Sequence, residues 1–291
     1  MSEKSAEKVS LITRSYIGFA TGRLIAERAR VFLLVAITIW VCFFSQHVIS
    51  GLAQSPSKPE EVSDAVLALI ERGDALLKAK RYDEAIAQYK AAIAKADKPT
   101  FTAYLNLGSA YYEKEDLPAA IEAFRKTIEI KPNDFRGHYN LAESLYLTGD
   151  YPNSETEYRR VLALVPEGLV SIEARYFLGL TLHKQGRTDE AMVQYRTAIE
   201  RAGGKYAEAH YNLGTALLER KDYPGAEREF RTTIEQDKTF KEAYFNLGVV
   251  LENQHRIPAA IEQYEAYLGL TPDSGDAAKL RARVERLKKQ K

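Results

Sequence analysis

The sequence predicts an all-α chain: six helix–turn–helix units in series, closed by a capping helix and preceded by one apolar N-terminal helix. Three observations predict it. A small residue recurs at Gly73, Gly108, Ala142, Gly179, Gly214 and Gly248, at intervals of 35, 34, 37, 35 and 34. A second small residue follows twelve positions later, at Ala85, Ala120, Ser154, Ala191, Ala226 and Ala260. An aromatic stands four positions beyond that every time, at Tyr89, Phe124, Tyr158, Tyr195, Phe230 and Tyr264. A period of this length marks a repeat architecture.

Residues 1–30 read as a basic leader. The stretch 1–53 carries a net charge of +3 from Lys4, Lys8, Arg14, Arg23, Arg28 and Arg30 against Glu3, Glu7 and Glu27. No charged side chain occurs between Arg30 and Lys58, and Val31 to Phe44 is almost wholly apolar. A bilayer-spanning helix needs about 20 apolar residues. Residues 31–53 therefore read as a single-pass anchor, or as a signal segment cut after Ala53, with Gly51 and Ala53 as its small residues. The long leader favours the anchor. Under both readings the basic flank keeps the N-terminus in the cytoplasm, so the chain beyond residue 53 is exported, to a periplasmic or extracellular space. Cleavage would make it secreted. Residues 54–65 form a linker, since Pro56 and Pro59 among small polar residues stop a helix.

The repeats fill residues 66–274. A small residue on each of two helices lets their backbones approach. The aromatic one turn beyond lies on the same face and fills the space left between them. Pro118, Pro152, Pro224 and Pro258 suit the first turn of each second helix, where a missing N–H costs little. One such hairpin cannot bury its apolar face alone, so copies stack. The wider step between the third and fourth units, through Pro166 to Val170, predicts a longer loop or a local change in the coil. Residues 275–291, with Leu280, Val284 and Leu287 at helical spacing, read as the capping helix with a basic tail.

At Ala103–Tyr112, His210–Leu217 and Ala243–Val250 the first helices resemble those of the tetratricopeptide repeat family, and Asp83–Tyr89 and Pro258–Tyr264 resemble its second helices. The resemblance implies a right-handed α-solenoid whose concave side, lined by first helices, binds a protein or an extended peptide. It also draws attention to two columns. Asn106, Asn140, Asn212 and Asn246 stand two residues before the small residue, interrupted by Glu71 and Phe177. In the family, notably in the repeats of O-linked N-acetylglucosamine transferase, such asparagines grip peptide amides. An amide both donates and accepts, so it pairs a backbone of any sequence. One position earlier stand Ile70, Leu105, Tyr139, Tyr176, Tyr211 and Phe245. Tyr139, Tyr176, Tyr211 and Phe245 are candidate peptide anchors; alternatively they fill the space between neighbouring first helices. Glu173, Glu208 and Glu242 lie close by, and on the groove they would favour a basic ligand segment. The family's carboxylate clamp lacks its cations here, with only Asn106 and Arg136 in plausible places.

The total charge of +1 excludes a polyanion binder working by bulk charge, and no nucleic acid is expected. A lone cysteine, Cys42, excludes an intrachain disulfide. His138, His183, His210 and His255 fall in different repeats, with no pair at metal-ligand spacing. No nucleophile elbow, phosphate loop or dinucleotide fingerprint occurs, so no catalytic residue, cofactor, metal or small-molecule substrate is expected. The functional expectation is a membrane-anchored or exported scaffold that is not an enzyme. The alternative is a non-catalytic subunit of a cell-envelope export or polysaccharide or cell-wall synthesis complex, and a third reading is a cytoplasmic co-chaperone.

Overall fold

The computed structural model describes residues 62–272 and 277–289. The leader, the apolar segment 31–53 and most of the linker lie outside the described residues. Among those described there are thirteen α-helices and no strand. No helix of this set is long and apolar enough to cross a membrane.

The helices come in pairs: α1 (Asp64–Lys78) and α2 (Tyr82–Lys95), α3 (Phe101–Glu113) and α4 (Leu117–Ile130), α5 (Phe135–Thr148) and α6 (Tyr151–Leu164), α7 (Leu169–Lys184) and α8 (Thr188–Arg201), α9 (Ala207–Glu219) and α10 (Tyr223–Gln236), α11 (Lys241–Asn253) and α12 (Ile257–Leu270); α13 (Ala277–Lys288) follows alone. They fall into two compact units. One ends at Thr148, with α5, and the other begins at Gly149 and holds α6 to α13. Within each unit every helix packs on the next. First helices also touch first helices: α1 meets α3 and α3 meets α5 in one unit, α7 meets α9 and α9 meets α11 in the other.

Packing inside a pair follows the spacing in the sequence wherever both helices lie in one unit. There Tyr89, Phe124, Tyr195, Phe230 and Tyr264 are all 0% exposed. Burying one such side chain contributes about 1.5–3 kcal/mol. Glycine on the facing helix is what admits the ring. A methyl group at Gly108 would lie 2.5 Å from Phe124 Cε1, and one at Gly214 would lie 2.8 Å from Phe230 Cε1, both far inside van der Waals contact. Around these contacts, Phe101, Leu105, Tyr112, Ala120, Leu141 and Leu145 make one buried cluster in the first unit, beside another built on Val66, Ile70, Ile86 and Leu107.

Turns within pairs share one backbone device. Lys80, Glu115, Gly149, Gly186, Lys221 and His255 each take a positive φ, between 59° and 84°. That left-handed residue reverses the chain tightly, and five of the six second helices then start in one of two ways, while α12 takes Arg256 as its N-cap with a proline in its first turn. Asp116, Asp150 and Asp222 cap α4, α6 and α10 by accepting from Ala119 N, Asn153 N and Gly225 N, with a proline in the first turn. At α2 and α8 an arginine takes that place, and Arg81 and Arg187 donate in a fork to Glu84 and Glu190.

Charged ties join several successive pairs. Lys114 at the end of α3 reaches Asp83 at the start of α2 (2.5 Å), and Arg220 at the end of α9 likewise meets Asp189 of α8. Arg187 reaches Glu155 (2.6 Å) and Arg256 reaches Glu227 (2.7 Å), joining successive second helices. Exposed pairs contribute under about 1 kcal/mol each, so their work is to fix register. The two shared glutamates are better shielded. Burial pushes Glu227 up, but hydrogen bonds from Arg231, Arg256 and Gln254 outweigh it and hold the carboxyl below the usual range; Glu155 behaves alike with Gln185, Arg159 and Arg187.

The wider step between the third and fourth units corrects the expected longer loop. Residues 165–168 number four, like 131–134 and 237–240, and the extra residues instead extend α7 to sixteen. Gly168, at φ +85°, stops the chain, and Ser171 Oγ donates to Pro166 O (2.8 Å), so Leu169 and Val170 join the helix. The cap follows expectation: Leu280, Val284 and Leu287 are buried, and α13 packs on α12. Arg283 fastens it, donating to Glu252 (3.0 Å) while lying over the Tyr264 ring (5.3 Å).

Two glycines test two different constraints. Gly108→Ala forces a methyl into Phe124 and should destabilise by about 1–3 kcal/mol, with partial recovery when Phe124→Leu is added. Gly186→Ala meets nothing within 4 Å, and its cost, about 1 kcal/mol, comes from the left-handed backbone alone. Urea denaturation of each variant reads both. For acid, the sign follows from the depressed glutamates. Their contribution is complete above the unfolded value of about 4.3 and is lost as pH falls through the lower folded value. Glu227→Gln should therefore flatten the fall in thermal midpoint below about pH 4.3, and an unchanged slope would assign the acid sensitivity elsewhere.

Candidate functional site

The two columns singled out in the sequence meet along the seam between neighbouring first helices. Asn212 Nδ2 on α9 donates to Tyr176 Oη on α7 (3.0 Å) and to the carbonyl of Glu208 one turn back (2.9 Å). Asn246 Nδ2 on α11 donates to Tyr211 Oη on α9 (3.1 Å). In the first unit Asn106 Nδ2 on α3 donates to Asp74 Oδ1 on α1 (2.8 Å), an oxygen that also accepts from Tyr89 Oη (2.6 Å). Each of these amides thus ties its helix to the first helix before it. Both amide hydrogens of Asn212 are committed, which leaves its oxygen as the group for a ligand.

Asn140 on α5 differs. It is 8% exposed, and among the described residues its side chain has no hydrogen-bond partner. The neighbouring helix explains why. Where α7 and α9 offer Tyr176 and Tyr211, α3 offers Leu105, and where α1 offers Asp74, α3 offers Ser109, whose hydroxyl is turned back onto Leu105 O (3.0 Å). Asn140 therefore retains a nearly buried amide with both donor and acceptor capacity. Where the column holds Phe177 instead, the ring stacks on Tyr158 of α6 at 6.0 Å.

Aromatic residues divide by exposure. Tyr139 and Tyr176 are 3% exposed, so a ligand reaches no more than an edge of them, whereas Tyr211 and Phe245 are half-buried and keep part of a face. Tyr176 packs on Tyr206 (5.0 Å between centroids) and Tyr211 on Phe240 (4.8 Å); both partners sit at the N-terminus of the following first helix. Phe245 packs on Tyr267 (5.5 Å) and Tyr264 (5.8 Å). The acidic column belongs to the same surface. Burial raises the Tyr206 phenol well above its ordinary value, and Tyr176, Glu173 and Glu208 add to this; burial likewise raises Tyr211, aided by Glu242. Since Glu208 and Glu242 each precede an asparagine by one turn, carboxylates and amides share one helix face. In the first unit the matching positions hold Thr102 and Arg136, and Arg136 is forked onto Asp134 (2.9 and 2.6 Å) over the Phe101 ring.

Residues 70–135, 194–239 and 211–275 match one tetratricopeptide repeat profile, and residues 135–204 match a second, together more than half of the chain. The chain belongs to the tetratricopeptide repeat family. Among solved structures the array is similar to YrrB, described as a TPR protein with an unusual peptide-binding site, at 20% identity and a TM-score of 0.55 over 67% of this chain and 97% of that one. Pseudomonas aeruginosa pilF gives a TM-score of 0.62 at 15% identity over 76% and 98%. Likenesses at these identities concern the fold. Among curated proteins, mitochondrial import receptor subunit TOM70 of Saccharomyces cerevisiae is 35% identical over 74 residues, 25% of this chain and 12% of TOM70. The chain spans 14% and 36% of the first curated relatives it matches.

Within this tetratricopeptide array, sequence reasoning located both columns but not what they bond. Tyr206 and Phe240 carried a readable signal, an aromatic eight residues before the glycine of their repeat. Asp74 carried none, since its role depends on α1 lying against α3. Among the described residues no group of three or more histidines, cysteines or carboxylates is placed to hold a metal ion. His138 and His210 instead face loop carbonyls, at Pro132 (2.9 Å) and Gly204 (3.2 Å).

The seam makes a quantitative forecast. Tyr211→Phe deprives Asn246 of its acceptor and should lower stability by about 0.5–1.5 kcal/mol. Asn246→Ala should lower it similarly, and the double variant should lose less than the sum. Strict additivity in a double-mutant cycle would show the contact to be inert.

Proposed function

We propose that this protein is a tethered adaptor that holds an extended segment of another protein against its first helices. The observation that carries the reading is Asn140: a nearly buried amide on the seam between first helices, left without a partner because Leu105 stands where other repeats have tyrosine. The amide keeps a narrow opening to solvent and with it both donor and acceptor capacity. A peptide backbone laid along the seam supplies the missing donor and acceptor. The second unit, taken by itself, offers the free oxygens of Asn212 and Asn246 as acceptors for peptide N–H groups, beside the apolar surface of the half-buried Tyr211 and Phe245. Glu173, Glu208 and Glu242 favour a ligand segment bearing lysine or arginine over the second unit.

Peptide recognition by YrrB and the receptor role named for TOM70 agree with a protein-binding array. The apolar run 31–53 supplies the tether in this proposal, with residues 1–30 in the cytoplasm and the repeats exported. Enzymatic chemistry has no part in it.

The test separates the open amide from the tied ones. With a photo-crosslinking amino acid in place of Thr102, exposed on the neighbouring first helix of the same unit, in the full chain in cells, mass spectrometry identifies the captured protein. Asn140→Ala should reduce that cross-linked product about two- to tenfold, the loss of one hydrogen bond, without lowering the melting temperature of the array. Asn212→Ala should do the reverse, lowering stability more than capture. Full capture by the Asn140→Ala variant would refute this reading, and reporter fusions after residue 60 active only in the cytoplasm would refute the export.

A further inference from the structure

Four residues before the small residue of the first helices runs another column, on the flank away from the asparagines: His138, Arg175, His210 and Tyr244. Three of these have settled partners. His138 faces Pro132 O, Tyr244 Oη donates to Lys238 O (3.2 Å), and His210 faces both Gly204 O and the Glu229 carboxylate (2.7 Å). Arg175 on α7 has none. Its Nε is buried and without a hydrogen-bond partner, and no carboxylate pairs with the guanidinium among the described residues. The position that in the next repeat holds Glu229 is here Gln194, so the acid that balances His210 has no counterpart. A second guanidinium, Arg201 at the end of α8, lies within electrostatic reach. Burial first, and the Arg201 charge second, oppose the protonated form of Arg175. Arg201 is positioned by donating from Nη1 to Pro166 O (2.9 Å), the carbonyl that also accepts from Ser171, and this leaves its other N–H groups to act on a ligand.

A half-buried cation beside a like charge, with no counter-ion, is an unfavourable arrangement for the protein alone. We infer that Arg175 and Arg201 bind a phosphate group, at the junction of α7, the end of α8 and the loop 165–168. Two guanidinium groups match the charge of a dianion, which one carboxylate does not. Their planar forks also suit the oxygens of a phosphate, to which arginine donates two parallel hydrogen bonds. This site is separate from the asparagine seam and does not rest on the peptide-binding reading.

The probes are inorganic phosphate and O-phosphoserine, with acetate and chloride at matched ionic strength as controls. They are added to the full chain in detergent and to its Arg175→Met and Arg201→Gln variants, the last on an exposed helix end where folding is insensitive. At ten times its dissociation constant, phosphate should raise the melting temperature of the parent by about 2–4 °C. The gain should be absent from both variants, and Arg175→Met should be no less stable than the parent without phosphate. The 31P resonance of inorganic phosphate should broaden with the parent and not with Arg201→Gln. A larger gain with O-phosphoserine than with phosphate assigns the group to a phosphorylated partner, and an equal gain assigns it to the free ion. No gain with either probe, or the same gain in the variants or with acetate, overturns the site.

Discussion

One contact governs five of the six pairs: an aromatic ring of the second helix seated on a backbone stretch that carries no side chain. Because the ring lies where a β-carbon would be, pair geometry is fixed by excluded volume rather than by a balance of weak attractions. Everything else takes its place from that. Once the two helices lie this close, residues two, three and four positions ahead of the glycine are aimed at fixed neighbours in the adjoining pair. One column then makes amide ties, the next fills gaps with rings, and a third faces loop carbonyls. Glu227 and Glu155, each shared by arginines from two pairs, show the same registration expressed in charge.

Identical spacing does not give identical chemistry. Among the four asparagines, the partner of each is decided by the repeat before it. Tyr176 and Tyr211 supply a hydroxyl, Asp74 supplies a carboxylate, and Leu105 supplies nothing polar. The flank behaves alike, for a histidine with its glutamate in one repeat becomes an arginine facing glutamine in another. Repetition builds the stacked pairs, and departures from repetition are where the two proposals place ligands.

Much of the fold was legible because its determinants are local. Small residues, rings and prolines at fixed intervals read out the helices, their pairing and the cap without reference to distant parts of the chain. The wider step after Pro166 shows the limit of that approach: a longer loop or a local change in the coil was expected, and whether the extra residues form loop or join a helix depends on a hydroxyl, Ser171, reaching back to a carbonyl. The site was legible only as columns. A side chain's type and position were visible in the sequence, whereas the state of its hydrogen bonds depends on a residue some 35 positions away, with no local trace. Tyr206 and Phe240 stood in plain sight yet meant nothing until their rings were found against Tyr176 and Tyr211.

The Leu105 neighbourhood carries a broader consequence. In the proposed reading, a receptive amide arises where the neighbouring repeat lacks a phenolic oxygen, with no new group at the receptive position itself. Adaptation by subtraction leaves the scaffold's own spacing intact, so a duplicated hairpin is convertible from mortar to grip through a single substitution in its neighbour.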